Sequence, residues 1–286
     1  MDFIRAGSVE EALAAVQTPG AAFVAGGTNL VPDVLYGRKK PALAVDISRL
    51  DELRAIEERD GRLRIGALAT VTDLLESPLV RDAAPSLREC AAEFAAPLVR
   101  NRATVAGNLM DASPAADLAP PLLAQDGEAE LLSGEGARTL PLSEFFLGYR
   151  KTAVRPGELL AALTLRPLGA GGRAAYHKLQ LRRAMAISVV SVAVALWMEG
   201  DRCAEAGIAL GAAAPVPFRA KGAEAQLRDR TVGEAEIEAA AAAARGEARP
   251  IDDLRASAAY RERMCEVLVR RLLRKALGLP AAAPAA

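Results

Sequence analysis

Residues 169–173 read GAGGR, and the chain changes texture on either side of them. Three glycines in five residues break helix and strand alike, so the run reads as a linker-like spacer. Before it, short apolar runs alternate with short helical stretches. After it, "AAYHKLQL", "ISVVSVAVALWM" and "CAEAGIALGAA" read as three strands, the last two joined by "EGDR" as a turn. Two clear helices follow, "TVGEAEIEAAAAAARG" and "SAAYRERMCEVLVRRLLRKALG", and then a floppy tail over 280–286. Three strands followed by helices predict a small α+β domain over 173–279, behind a larger unit over 1–168. No internal repeat is evident.

Within the larger unit the local signals are sharper. Ser8 predicts a helix cap, with Glu11 as its capping-box partner. "TPG" (18–20) ends that helix, and "AAFVA" and "ALAVDIS" read as short buried strands, with one or two helical turns over "LVPDVLYG" between them. "LRAIEERDGRLRIGAL" carries apolar alternation on both sides of Asp60-Gly61, a hairpin signal. Thr72 opens a helical stretch interrupted by Pro78 and Pro85, and "EAELLSGEGARTLPLSEFF" predicts a second strand pair.

Composition removes several classes of function. Lysine plus arginine equal aspartate plus glutamate at 36 each, so no net field favours nucleic acid or an anionic membrane. No apolar run approaches the roughly 18 residues of a membrane span. The start, "MDFIRAGSVEEALAAV", lacks a basic stretch followed by an apolar block, which predicts a cytoplasmic chain. Cys90, Cys203 and Cys265 form no CxxC pair, and His177 is the only histidine. A zinc site, an iron–sulfur cluster or a Ser-His-Asp triad therefore has almost no material here, and no metal site is expected. The chemistry has to come from an organic cofactor or a partner.

Two loops stand out: "AGGTN" (25–29) and "TVAGNLMDASPAAD" (104–117). Closely spaced glycines let successive N–H groups converge on an anion, and Thr28, Asn29, Thr104, Asn108 and Ser113 add neutral donors. Asp117 could accept bonds from sugar-like hydroxyls. The plainer reading is that the glycines of each loop only turn the chain. Neither loop is a P-loop or a Rossmann fingerprint, and "GEGART" (134–139) lacks a third glycine and sits in the hairpin turn. The residues alone leave both readings open. His177 beside Tyr176 reads as a surface or core-edge histidine, and "RRLLRK" (270–275) as a solvated helix face with Leu272 and Leu273 buried.

"VAGGTNL" followed by "RNRATVAGNLMDASPAADLAPPLLA" resembles the FAD-binding, or medium, subunit of the molybdenum hydroxylases of the xanthine dehydrogenase and carbon monoxide dehydrogenase type. "VDISRLDELR", "IGALATVTDLL", "FFLGYRKTAVRPGELL" and "KLQLRRAMAISVVSVAVAL" follow in the family's order, so the resemblance covers roughly residues 1–280. It implies an α+β fold: a two-part FAD-binding domain of the vanillyl-alcohol oxidase/p-cresol methylhydroxylase type, with subdomains about 1–55 and 56–168, plus a small C-terminal domain with a three-stranded antiparallel sheet and helices. It also implies non-covalent FAD. The backbone around Val24, Ala25, Gly26, Gly27, Thr28 and Asn29 would wrap the diphosphate. Thr104, Val105, Ala106, Gly107 and Asn108 would complete the cradle, and Asp117 would hold ribityl or ribose hydroxyls. Phe94 takes the place of an aromatic packed near the adenine, and Lys178 that of a lysine near the flavin. Ala106 stands where many relatives have glycine, which matters little if its φ is negative.

The implied function is electron transfer. A large molybdopterin-binding subunit and a small 2Fe–2S subunit would carry molybdopterin and the 2Fe–2S clusters, and FAD here would pass electrons to an external acceptor. Met185 and Ala186 stand where some relatives have acidic residues, which leaves the acceptor open among NAD, oxygen, a quinone or another carrier. No four-cysteine segment exists, unlike relatives that act on aromatic acyl-CoA substrates. Two rivals carry different expectations: a self-sufficient flavin-dependent oxidoreductase of the same fold, and an assembly subunit without flavin.

Overall fold

The computed structural model describes residues 1–280. The expected tail, Pro280 apart, lies outside the described residues.

The first unit is a small parallel sheet. Strands β1 (Asp2–Arg5) and β2 (Ala21–Val24) each run parallel to β3 (Leu43–Asp46), which lies between them. Helix α1 (Val9–Ala15) links β1 to β2, and the short helix α2 (Leu30–Leu35) links β2 to β3. Ser8 caps α1 as expected, accepting from the Glu11 N–H at 3.2 Å. The Glu11 carboxylate takes the Gly7 N–H at 2.7 Å, one residue before the position a capping box would use. Ala12, Val45, Ile47, Leu53 and Leu68 form the core of this unit.

The second sheet is antiparallel, in the order β4-β5-β10-β6-β7. Strands β4 (Ile56–Arg59) and β5 (Arg62–Gly66) make the expected hairpin. Its two turn residues, Asp60 and Gly61, have φ of 52° and 70°, the left-handed pair that a two-residue turn matched to strand twist requires. The helical stretch begins two residues earlier than the sequence suggests. Thr70 forms a complete capping box with Asp73 at the start of α3 (Val71–Glu76). The two prolines do not interrupt one helix; each starts a new one, α4 (Pro78–Ala83) and α5 (Pro85–Glu93), where a missing N–H is harmless. Short helices α6 (Pro97–Arg100), α7 (Val105–Met110) and α8 (Ala119–Ala124) follow. Strands β6 (Glu128–Ser133) and β7 (Gly136–Pro141) pair as expected. A short helix α9 (Leu142–Phe145) and a small hairpin, β8 (Phe146–Gly148) with β9 (Lys151–Thr152), precede β10 (Leu159–Leu165) in the middle of the sheet.

The glycine run at 169–173 is a tight turn rather than an extended spacer, closed by a bond from the Gly172 N–H to the Gly169 carbonyl at 3.1 Å. Beyond it, β11 (Arg173–Leu179), β12 (Val190–Glu199) and β13 (Arg202–Gly211) form an antiparallel meander. Two further strands of two residues, β14 (Phe218–Arg219) and β15 (Arg230–Thr231), both pair with β13, so this sheet has five strands, not three. Two residues are too few for any hydrophobic period to show. Helix α10 (Lys221–Ala225) lies between β14 and β15, and α11 (Glu234–Glu247) and α12 (Ala258–Leu277) follow. α11 and α12 share an apolar core with one face of the sheet through Val192, Val194, Ile237 and Leu273. The other face, through Tyr176, Ala193 and Trp197, joins the core built on Leu87, Leu122 and Leu163. On α12, Leu272 and Leu273 are buried, while Arg270 and Arg274 meet Glu238 and Glu234 and Lys275 meets Glu89. No helix among the described residues is long and apolar enough to cross a membrane.

Candidate functional site

The two glycine loops meet. Residues 25–29 leave β2 and turn toward the segment ahead of α7, and a cavity of about 690 Å³ opens beside them. It reaches from the parallel sheet across to β10 and is lined by Ala25 to Asn29, Phe94, Thr104, Ala106, Gly107 and Asn108, among others. The size falls within the usual range for a small-molecule site.

The glycines do different work. A Cβ on Gly26 would overlap the carbonyl oxygen of Arg102 and lie 2.6 Å from its carbonyl carbon, so Gly26 is what allows the two loops to touch. Gly27 has φ of 73° and turns the chain into α2. Among the described residues, the N–H groups of Gly26, Gly27, Thr28 and Asn29 donate to no protein acceptor. Four successive amides without protein partners, bordering a cavity, form a cradle suited to an anion.

The second loop behaves differently. Thr104 caps α7, accepting from the Gly107 N–H at 3.1 Å. Val105 and Ala106 donate to the carbonyls of Ala69 and Ala67, and Asn108 to that of Thr104. Every amide from Val105 to Asn108 is therefore taken. This loop offers the cavity a threonine O–H, an asparagine side chain and a small-residue surface. Ala106 sits in the first turn of α7 and is not among the residues with positive φ, so its Cβ is accommodated.

Five residues proposed as cofactor contacts or donors do not line the cavity: Val24, Val105, Ser113, Asp117 and Lys178. The last two form a buried ion pair. Lys178 is 1% exposed, and its Nζ lies 2.9 Å from one oxygen of Asp117; the other oxygen accepts from the Ser188 hydroxyl at 2.6 Å. Asp117 thus joins the loop after α7 to β11 and to the segment ahead of β12. Beside it, the Cys90 thiol donates to the Asp117 carbonyl, and burial pushes that thiol well above the ordinary range. It is inert rather than nucleophilic. His177 lies outside the cavity, 3.5 Å from Glu93.

Other wall residues had no signal in the sequence. Val16, Ile47, Leu68 and Leu159 come from four separate segments and give the cavity an apolar end. Lys39, Asp111, Arg155 and Glu158 add charge. Both carboxylates are held by arginine: Asp111 by Arg150 at 2.9 Å, and Glu158 by a two-pronged contact from Arg138 at 2.6 and 2.7 Å. The Arg138 bond keeps the Glu158 carboxyl below its usual value. Among the described residues, the wall carries no carboxylate without a cationic partner to act as acid or base.

Residues 1–166 match the family described as the FAD binding domain in molybdopterin dehydrogenase, and residues 174–276 the family described as the CO dehydrogenase flavoprotein C-terminal domain. The chain is 35% identical over 279 residues to 6-hydroxypseudooxynicotine dehydrogenase complex subunit alpha of Paenarthrobacter nicotinovorans, covering 96% of this chain and 94% of that one. It is 32% identical over 271 residues to the carbon monoxide dehydrogenase medium chain of Hydrogenophaga pseudoflava, covering 94% of each. Among solved structures it resembles the Hydrogenophaga pseudoflava carbon monoxide dehydrogenase that lacks the Mo-pyranopterin moiety, with a TM-score of 0.94, 32% identity and 97% of each chain covered. Quinoline 2-oxidoreductase from Pseudomonas putida 86 gives a TM-score of 0.90 at 26% identity, over 97% of each chain.

Proposed function

The chain belongs to the family of FAD-binding subunits of molybdenum hydroxylases, and on that premise we propose that it takes electrons from the iron–sulfur clusters of a partner subunit and delivers them to an external acceptor. The observation that carries this reading is the run of four amides, Gly26 to Asn29, that have no acceptor among the described residues and belong to residues lining a cavity with an apolar end. An anion-binding turn joined to an apolar slot fits a dinucleotide with a diphosphate in its middle.

The N–H groups of residues 26–29 would hold the FAD diphosphate, with the Thr28 and Thr104 hydroxyls and the Asn108 side chain around it. Bound FAD accepts and releases electrons one or two at a time, which is the chemistry this chain lacks. The protein's own residues position and shield. Arg138 keeps Glu158 ionised, Arg150 occupies the side chain of Asp111, and the apolar end excludes water. Asp117 and Lys178 brace the cavity from behind, joining the α7 loop to β11; direct contacts from this pair to the cofactor belong to the same proposal. We read residues 1–168 as the two-part FAD unit of the vanillyl-alcohol oxidase type, divided near 55, and 173–279 as the C-terminal domain. A large molybdopterin-binding subunit and a small 2Fe–2S subunit complete the assembly, in the cytoplasm.

Anaerobic mixing of the flavin-loaded chain with the complex's substrate tests this. The flavin band bleaches only when both companion subunits are present. Bleaching by substrate with the isolated chain would assign it a self-sufficient activity and end the proposal.

A further inference from the structure

Asp253 lies between α11 and α12, outside the cavity, and holds two arginines. Its Oδ2 accepts from Arg255 Nη2 at 2.6 Å and Nε at 3.1 Å, and its Oδ1 accepts from Arg261 Nη2 at 2.5 Å. Arg261 is 2% exposed, so the carboxylate supplies the counter-charge of a buried guanidinium.

Neither arginine stops there. Arg255 Nη1 donates to the Ser188 carbonyl at 3.0 Å, and the hydroxyl of that same serine is the one that donates to Asp117. Arg261 Nη1 donates to the carbonyls of Val189 at 3.1 Å and Ala212 at 3.3 Å. The Ala212 N–H then donates to the Pro114 carbonyl at 2.7 Å, three residues ahead of Asp117. Ala212 has φ of 56°, a conformation that alanine keeps only where its surroundings impose it. Two arms thus run from one carboxylate to the loop between α7 and α8, one ending on the Asp117 side chain and the other on the loop backbone. One more bond reaches the cavity: the Leu118 N–H donates at 3.3 Å to the side chain of Asn108, which lines it.

Ser188 is fully buried and Lys178 is nearly so, so water does not compete along the first arm, and each bond holds the next more firmly. Helix capping does not account for Asp253 either. Ser257 caps α12, and Asp252 takes the Ala258 N–H.

We propose that Arg255 and Arg261, held by Asp253, are positioning residues for the cofactor site: they fix the loop of residues 113–118 and the orientation of the Asp117 carboxylate. The proposal rests on the reading above, in which Asp117 and Asn108 meet FAD. One Asp117 oxygen is taken by Lys178 and the other by Ser188, so these two partners set the direction in which its remaining lone pairs face a ligand hydroxyl. Lys178 is long and adaptable. Ser188 is short, and Arg255 fixes its backbone.

The test is fluorescence titration of FAD into the flavin-free full chain carrying Arg255→Met, Ser188→Ala or both. Arg255 is chosen because its loss leaves Asp253 paired with the buried Arg261. Each single variant weakens FAD binding about fivefold, the worth of one hydrogen bond. The double variant binds no more weakly than Ser188→Ala alone, because Arg255 acts through that serine. An arginine that only supports the fold would add its own loss, to about 25-fold in the double variant, and that result overturns the proposal. So does parent affinity in either single variant. A parent chain that takes up no FAD removes the FAD reading and this inference together. A parent that binds FAD while Arg255→Met binds it equally well ends this inference alone.

Discussion

Gly26 and the carbonyl of Arg102 are in direct backbone contact, and no side chain fits between them. This junction makes two loops more than seventy residues apart in the sequence into one wall. Gly26→Ala therefore destabilises the flavin-free chain by about 2 kcal/mol or more, because the clash is with backbone that cannot swing away. Gly27→Ala costs about 1 kcal/mol, the strain of an alanine at positive φ, with the Val31 side chain 3.1 Å from the added carbon. Urea unfolding of the flavin-free variants checks the order. Equal midpoints for Gly26→Ala and the parent would show that the loops do not rest on each other.

The buried Lys178–Asp117 pair sets up a second contrast. Asp117→Ala leaves an ammonium group buried without a counter-charge and costs roughly 3–5 kcal/mol. Replacing both, Asp117→Ala with Lys178→Met, recovers much of that loss, since no charge is then stranded. A double-mutant cycle by chemical denaturation measures the coupling. Simple additivity of the two single losses would mean that the pair is not a unit.

Thr104 has one hydroxyl with two tasks. It accepts from the Gly107 N–H, and its own proton is free for the cavity. Thr104→Val removes the cap, at about 1 kcal/mol of stability, and weakens flavin binding about tenfold through the lost bond to a charged group. Thr104→Ser restores both. Fluorescence titration of flavin against each variant separates cap from contact, and full affinity in Thr104→Val would remove Thr104 from the site.

Acid sensitivity has a definite sign at Asp253. Hydrogen bonds from Arg255, then the contact with Arg261, hold this carboxyl well below the usual aspartate range. The folded form therefore prefers the ionised state, and the associated stability is fully present above the ordinary aspartate value near 4. It is lost as the pH falls below that value toward the depressed one. Asp253→Asn is less stable than the parent at pH 7, and the gap closes on acidification toward pH 2. A gap that widens in acid would reverse the assignment.

How much of this was legible in the residues depended on range. The Asp60-Gly61 hairpin, the Ser8 cap and the long C-terminal helices follow from local chemistry, and each is where a short window of sequence places it. The glycines of 25–29 showed as permissive residues, yet only the structure separates Gly26, which lets a neighbouring backbone in, from Gly27, which turns the chain. The apolar end of the cavity left no trace, because Val16, Ile47, Leu68 and Leu159 look like ordinary core residues in their own segments. The amides of residues 105–108 suggested a second half of the cradle; the α7 cap and the carbonyls of Ala67 and Ala69 consume them instead.

The central claim is that residues 26–29 and the facing loop hold FAD, and the visible absorption spectrum of the purified chain, with the released chromophore identified by chromatography, tests it most directly. The account predicts flavin bands, release of FAD without breaking a covalent bond, and close to one FAD per chain. A colourless protein that also takes up no added FAD would contradict it.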